Sequence, residues 1–263
     1  MVDSTNGNSF KNLHYLINDY TIRTVLTPVH ALTTSDKISS SYLGIAPDFS
    51  KSNRFSSIPF STKLVSSKAN DFNGTFSHSM PSNSLEAGII HIATHVVNDT
   101  IHPYNTSIQL GERDSLTISD FAKFKINSSL VILNGCQTGK GRYVQSEGSI
   151  TLARAFFLHG VSSVITTLWS VDDKATADVL SLFYENIEEG KELDVSLRGA
   201  KIDFIHNAGS DDLANPFYWA GLQLTGNSKS LMTSKNSNAV LYLGIVLLLI
   251  ISISGYWKFK SRF

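Results

Sequence analysis

The sequence lacks a second cysteine, a net charge and any strong basic bias. Its one cysteine among 263 residues, Cys136, excludes an intramolecular disulfide framework and any metal site built from several thiolates. Its 22 basic and 22 acidic side chains balance, which argues against a nucleic-acid partner held by a basic face. Charged residues make up only 17% of the chain, so we expect part of its apolar content to lie outside the globular core.

An apolar run near the C-terminus accounts for the low charge. Residues 239–257 (AVLYLGIVLLLIISISGYW) carry no charge at neutral pH. As a helix they extend ~28 Å, close to the ~30 Å hydrocarbon core of a bilayer. A basic tail at 258–263 follows, and a polar linker at 228–238 precedes the run. The pattern predicts a single-pass C-terminal transmembrane helix rather than a core helix, because core helices seldom stay apolar on every face.

Two features point to opposite sides of the membrane for the rest of the chain. The basic tail favours a cytoplasmic C-terminus, which places the domain outside. Residues 1–20 contain neither a basic n-region nor a continuous apolar h-region, so no signal peptide is visible. This second feature favours a tail-anchored protein with a cytoplasmic domain, or a chain that is the C-terminal part of a longer protein.

Regular patterns between residues 85 and 227 predict an α/β core with a mostly parallel sheet. Runs at 88–94 (GIIHIAT), 130–134 (LVILN) and 163–168 (SVITTL) are short, apolar and β-branched, as is typical of buried strands. Helical patterns at 149–159, 173–187 and 195–206 follow or separate them. Because strands alternate with helices, we expect helices on both faces of the sheet.

Residues 1–84 are predicted to form an N-terminal part of the same domain. The segment 34–84 is rich in serine and predicts loops with one or two short helices. Within it, 42–46 (YLGIA) is typical of a short strand, and 20–25 (YTIRTV) is also β-rich.

Two reactive side chains, His95 and Cys136, follow the first two predicted core strands. If these strands are parallel neighbours, both side chains emerge at the carboxyl edge of the sheet, where ligand sites of such folds gather. A thiol beside an imidazole can act as a nucleophile with a general base. Backbone N–H groups after the cysteine can then hold an oxyanion, and Gly135, Gly139 and Gly141 suit a turn that approaches a substrate closely.

Simpler explanations exist for these side chains. A lone cysteine is most often a small buried hydrophobic residue. His91 lies four residues before His95 on the same strand face, and we interpret it as a core histidine satisfied by a neighbour. A metal site built from both histidines is disfavoured, because strand geometry separates them by ~13 Å.

A phosphatase loop is a second interpretation of the segment after the second strand. Cys136, Gly139 and Arg142 fit the pattern C-x2-G-x2-R, in which an arginine and backbone amides bind phosphate oxygens around a thiolate. Gly135 and Tyr143 stand where such enzymes usually carry His and Ser or Thr. The residues after Arg142 also predict a loop instead of the helix that a phosphatase needs.

Several motifs in order resemble the CHAT domain family of caspase-like cysteine peptidases, relatives of separase and gingipain. They are HIATH, LVILNGCQTGKG, EGSITLARAFFLHGVSSVITTLWSVDDKATADVLSLFYENIEEG and NPFYWAGLQLTGN. The strong part of the match covers residues 85–227, and a looser part extends it toward residue 15. The resemblance implies a caspase-like fold, a protein or peptide substrate, and no metal or cofactor in the chemical step.

The resemblance also implies specific roles. It places the catalytic dyad on His95 and Cys136, with the backbone N–H groups of Val96 and Cys136 in the oxyanion hole. Relatives commonly have Gly after the catalytic His, whereas Val96 cannot adopt positive φ and crowds the site. Loss of one oxyanion donor costs ~3 kcal/mol of transition-state stabilisation, so activity is expected to be weak or conditional if this donor is lost.

Substrate preference and partners are the last expectations. In related peptidases the loop after the third strand lines the pocket for the residue before the cut, so Asp172, with Asp173 second, predicts a preference for Arg or Lys. The alternative is that Asp173 caps the following helix.

The family often joins helical repeats to this domain, which implies a regulatory partner of that kind. A membrane-tethered scaffold that keeps the peptidase fold without activity is the non-enzyme alternative.

Overall fold

The computed structural model describes residues 2–3, 9–25, 41–144 and 148–232. The strands are β1 (Val2–Asp3), β2 (His14–Tyr15), β3 (Tyr42–Ile45), β4 (Thr75–Ser77), β5 (Ser84–Glu86), β6 (Ile89–Ala93), β7 (Val96–Val97), β8 (Ser107–Gln109), β9 (Ser115–Thr117), β10 (Lys125–Asn127), β11 (Leu130–Asn134), β12 (Arg142–Val144), β13 (Gly148–Ile150), β14 (Ser163–Thr167) and β15 (Leu222–Gly226). The α-helices are α1 (Leu16–Asp19), α2 (Pro59–Asp71), α3 (Ile118–Phe121), α4 (Leu152–Leu158), α5 (Asp173–Glu188), α6 (Leu193–Asn207) and α7 (Pro216–Trp219).

A six-stranded sheet in the order β15-β14-β11-β6-β3-β4 forms the centre of the molecule. Every neighbouring pair in it is parallel except β14 and β15. The three strands predicted from the apolar runs are adjacent in the order β14-β11-β6, and all three are buried along their length. The mostly parallel α/β sheet is therefore confirmed.

Helices cover both faces of this sheet, as the alternation of strands and helices predicted. Successive strand residues point to opposite faces of the sheet. On β11, for example, Val131 and Ile132 belong to two different buried clusters. Ile132 packs with Phe183 of α5, whereas Val131 packs with Phe156 of α4. Each fully buried side chain of this size contributes about 2 kcal/mol by its removal from water.

The serine-rich segment is more ordered than its composition predicted. It contains α2, a helix of 13 residues with proline at its first turn, where the missing N–H costs no hydrogen bond. It also supplies the strand predicted at 42–46, which is β3 and pairs with β6 in parallel, so the N-terminal part and the core share one sheet. The β-rich segment 20–25 forms only an isolated bridge between Thr24 and Thr225.

One helix boundary was predicted wrongly. Residues 148–150 form β13, which pairs with β12, and α4 begins only at Leu152. Thr151 accepts a hydrogen bond from the Arg154 N–H, so it caps the helix at this point and ends the extended segment.

The predicted anchor at 239–257, the basic tail and most of the polar linker lie outside the described residues. Within the described ranges, none of the helices has the length and apolar character needed to cross a bilayer.

Candidate active site

The register of two parallel strands places His95 and Cys136 at one edge of the sheet. β6 and β11 pair along their length, with Ala93 opposite Asn134 as the last pair. The Thr94 N–H donates to the Asn134 carbonyl at 2.9 Å, which extends the ladder by one step. His95 and Cys136 each follow two residues after this last pair. Both are half-buried, at the carboxyl ends of their strands.

Gly135 allows the two strand ends to approach each other. A Cβ atom at this position would overlap the Thr94 carbonyl oxygen, so a larger residue would push the backbone before Cys136 away from the backbone before His95. The sequence analysis assigned Gly135 to a turn near a substrate, whereas its closest contact is with the neighbouring strand.

The His95 side chain is held by a loop that the sequence did not link to the site. Its Nε2 atom lies 2.7 Å from the Ser56 carbonyl oxygen. Because a carbonyl only accepts, Nε2 carries a proton, so Nδ1 is the nitrogen with the lone pair in the neutral form of the imidazole. The rings of Phe49 and Phe55 also contact the imidazole. His95 is thus oriented with Nδ1 as its basic atom.

The loop after Cys136 is fixed to the end of β14. Gln137 has a left-handed backbone, with φ of 59°, and its N–H donates to the Trp169 carbonyl at 3.2 Å. The Thr138 hydroxyl accepts from the Thr167 N–H at 2.7 Å and donates to the Leu133 carbonyl at 3.0 Å. Non-glycine residues in this region of φ are uncommon and cluster at functional sites.

Val96 begins β7 and pairs with Ile108 of β8. The Gln109 N–H donates to the His95 carbonyl at 2.9 Å, so ladder hydrogen bonds flank the Val96–Ile108 pair. A pair of this kind directs its own N–H and C=O groups away from the partner strand, so the Val96 N–H points away from β8. Among described non-glycine residues, only Asn73 and Gln137 have positive φ. The conflict expected from valine at positive φ therefore does not arise.

Asp172 and Asp173 both bind helix N-termini. Asp172 is exposed and caps α5 by accepting from the Ala175 N–H at 2.8 Å, the role that the alternative interpretation gave to Asp173. Asp173 instead accepts from the N–H groups of Phe60 (2.9 Å) and Ser61 (3.1 Å) and from the Ser61 hydroxyl, at the start of α2. Its carboxylate therefore joins α5 to α2.

Two other sequence interpretations can be compared with the geometry. His91 is fully buried, and its Nδ1 shares a hydrogen bond of 3.0 Å with the Tyr184 hydroxyl, as expected of a core histidine with a partner. Burial lowers its pKa to about 3.

Arg142 begins strand β12 and no helix follows it directly, which does not fit a phosphatase loop. In the described part of the chain, no group of three or more His, Cys, Asp or Glu side chains could hold a metal.

Sequence reasoning missed several residues that shape this site. They belong to the loop between β3 and α2 or to the loop after Cys136: Phe49, Phe55, Ser56, Gln137 and Thr138. Phenylalanines spaced within a serine-rich stretch gave no periodic signal, and Gln is not a residue type that indicates a left-handed backbone. Only contacts across the sheet edge reveal them.

Comparison with known proteins agrees with the resemblance found in the sequence. Residues 4–227 match the family model of the CHAT domain. Tetratricopeptide repeat protein 28 of Mus musculus is 30% identical over 116 residues, which are 44% of this chain and 5% of that protein. The Homo sapiens protein of that name is 28% identical over 116 residues, which are 44% of this chain and 4% of that protein. The chain thus spans about one twentieth of these curated relatives.

The chain is also similar to solved structures that are much more distant in sequence. The Arg-specific cysteine proteinase gingipain R is 11% identical, with a TM-score of 0.44, over 81% of this chain and 50% of the other. The Saccharomyces cerevisiae separase–securin complex gives 12% identity and a TM-score of 0.49, over 73% of this chain and 12% of the other.

Proposed function

The chain belongs to the CHAT domain family, and we propose that it is a cysteine endopeptidase with His95 and Cys136 as its catalytic dyad. The observation that carries the proposal is the register of β6 and β11. It brings an imidazole and the chain's only thiol to the same sheet edge, each two residues past the last strand pair. The orientation of His95 by the Ser56 carbonyl supports the same role.

The proposed reaction follows from these positions. Nδ1 of His95 accepts the Cys136 thiol proton, and the thiolate attacks a peptide carbonyl to form a tetrahedral intermediate. The N–H groups of Val96 and Cys136 stabilise its oxyanion. The intermediate breaks its C–N bond, the leaving amine takes the proton from His95, and a thioester remains. Water, deprotonated by His95, then hydrolyses the thioester and restores the thiol.

The proposal includes a preference for a basic residue before the scissile bond. Asp172 is the main support for this preference. Asp172 is exposed in the segment after β14, next to the loop that carries Cys136. Asp173 is a weaker candidate, because three donors of α2 already occupy its carboxylate. The substitution Asp172→Asn keeps a good helix cap and removes the charge, so it should lower the preference for Arg or Lys and leave stability unchanged.

We further propose that residues 239–257 anchor this domain to a membrane and that a helical-repeat protein regulates it. The uncharged run of 19 residues supports the anchor. The named tetratricopeptide repeat relatives support a partner of that class, since their matching part is a small fraction of a much longer chain.

A peptidyl probe with Arg or Lys before a thiol-reactive warhead tests the activity. We expect labelling of the full chain at one site, no labelling of Cys136→Ala, and labelling of His95→Ala reduced at least tenfold. Absence of labelling at high probe concentration, with and without a candidate repeat partner, would contradict the peptidase proposal. That result would favour the alternative that the chain is a scaffold that keeps the peptidase fold without activity.

A further inference from the structure

The loop between β3 and α2 encloses the His95 imidazole with two phenylalanine rings. Phe55 is stacked on the imidazole, with ring centroids 5.2 Å apart and an interplanar angle of 20°. Phe49 meets it edge-on at 4.8 Å and 78°. The two phenylalanine rings also contact each other at 5.7 Å and 67°, so the three rings form one cluster, which we call the His95 cage.

The cage restricts how the imidazole can turn. A half-turn of the ring about its bond to Cβ would move Nε2 away from the Ser56 carbonyl and break the 2.7 Å hydrogen bond. Tilting the ring out of its plane would lose the stack on Phe55, because offset stacking requires nearly parallel planes. The hydrogen bond therefore fixes which nitrogen holds the proton, and the rings hold the imidazole in the plane in which that hydrogen bond can form.

The loop that carries the cage is itself held in place. The Ser52 hydroxyl accepts from the N–H groups of Arg54 (3.1 Å) and Phe55 (3.0 Å), which closes the turn before Phe55. The same hydroxyl donates to the Glu112 carboxylate, which ties the loop to the segment between β8 and β9. Phe49 is only 3% exposed, so its ring is part of the packed interior.

We infer that Phe49 and Phe55 are positioning residues of the peptidase, acting through His95. They hold the imidazole so that Nδ1, and not Nε2, is the basic atom available to Cys136. The catalytic consequence rests on the proposed function, whereas the effect on the imidazole itself does not. Both rings act through His95, so they affect the rate by keeping the imidazole in one tautomer and one orientation.

Nitrogen-15 NMR of histidine in the full chain measures this effect directly. In the neutral form of the imidazole, we expect wild type to show one tautomer with the proton on Nε2, assigned by comparison with His95→Gln. Phe55→Leu removes the stack and should give a mixture of tautomers. It should also slow covalent capture of the peptidyl probe by roughly tenfold or more, with its half-saturating concentration nearly unchanged. Phe55→Tyr keeps the ring and should restore both properties to within about twofold.

Phe60→Leu is the matched control, because Phe60 lies just after this loop, at the start of α2, and is 46% exposed, with its ring against Lys174 Nζ at 6.0 Å. It should change neither the tautomer nor the rate. Ser52→Ala loosens the loop without altering either ring of the cage and should shift the tautomer in the same direction as Phe55→Leu. Circular dichroism checks that each variant is folded.

Folded Phe55→Leu and Ser52→Ala variants that both keep a single wild-type tautomer would overturn the inference. A wild type that shows one tautomer but never reacts with the probe would contradict the proposed function alone, since the NMR comparison needs no catalysis.

Discussion

His91 and His95 lie four residues apart, yet they differ in burial and in whether Nε2 has a hydrogen-bond partner. His91 lies in the middle of β6 with no exposed surface, and its Nε2 has no hydrogen-bond partner among the described residues. His95 follows the end of the strand, where the edge of the sheet leaves it half-buried and a carbonyl accepts from its Nε2. Sequence spacing alone predicted this difference in depth, because position along a strand sets depth in the sheet.

Acid should destabilise the domain through His91. Its pKa is about 3 in the folded protein and near 6.5 in the unfolded chain, so the unfolded state binds more protons between these values. The stabilisation is complete above about pH 6.5 and is lost as the pH falls toward 3, by up to about 1.4 kcal/mol per pH unit. Urea unfolding from pH 7 to 4 should show this slope in wild type and a flatter one in His91→Phe. Equal slopes would contradict the assignment.

Gly135 should tolerate no side chain. In Gly135→Ala the new methyl group overlaps the Thr94 carbonyl oxygen, so the ends of β6 and β11 must separate. We expect a loss of about 1–3 kcal/mol in unfolding free energy and a fall of at least tenfold in probe labelling of Cys136. Gly111→Ala is the matched control, because its Cβ would meet nothing within 4 Å. A Gly135→Ala variant that behaves like this control would be inconsistent with the close approach.

At the scale of elements, the site depends on polar contacts at the starts of α2 and α5. Asp173, in the first turn of α5, accepts hydrogen bonds from the start of α2. The Asn134 side chain at the end of β11 donates to the Ser61 hydroxyl at 2.9 Å, next to the same carboxylate. The start of α2, the first turn of α5 and the end of β11 therefore meet at one polar cluster, which the order of residues in the chain did not predict.

Removal of the Asp173 carboxylate should destabilise the edge of the sheet at which His95 and Cys136 lie. Asp173→Ala leaves three donors at the start of α2 without an acceptor, and we expect a loss of about 2–4 kcal/mol by urea unfolding. Asp172→Ala removes only one cap and should cost about 1 kcal/mol. Probe labelling should fall more in Asp173→Ala than in Asp172→Ala at a temperature where both are folded. The reverse order in stability would contradict the contacts of Asp173.

At the scale of the whole molecule, the strands with clear apolar runs were predictable and the loops around them were not. β6, β11 and β14 combine β-branched residues with full burial, so residue type and position agree. The core of α5 followed equally well from its periodicity, since its acidic start and apolar stripe are local signals. Contacts such as Phe55 on His95 join residues 40 positions apart, and no local pattern encodes them.

The proposed anchor at 239–257 should hold the full chain on a membrane. The full chain should sediment with membranes and resist extraction at alkaline pH, because about 19 apolar residues in a bilayer are not released by loss of charge. Replacement of three central leucines of the run, at positions 247–249, by lysines should move the protein to the soluble fraction. Wild type that is extracted at alkaline pH would contradict a spanning helix.

The rate at which iodoacetamide modifies Cys136 tests the dyad most directly, because the full chain has no other cysteine. Measured by mass spectrometry at pH 6, His95→Gln should react at least tenfold more slowly than wild type, while His78→Gln, a change at an exposed histidine, should match wild type. Equal rates for wild type and His95→Gln, in folded proteins, would contradict a working pair of imidazole and thiol at this edge of the sheet.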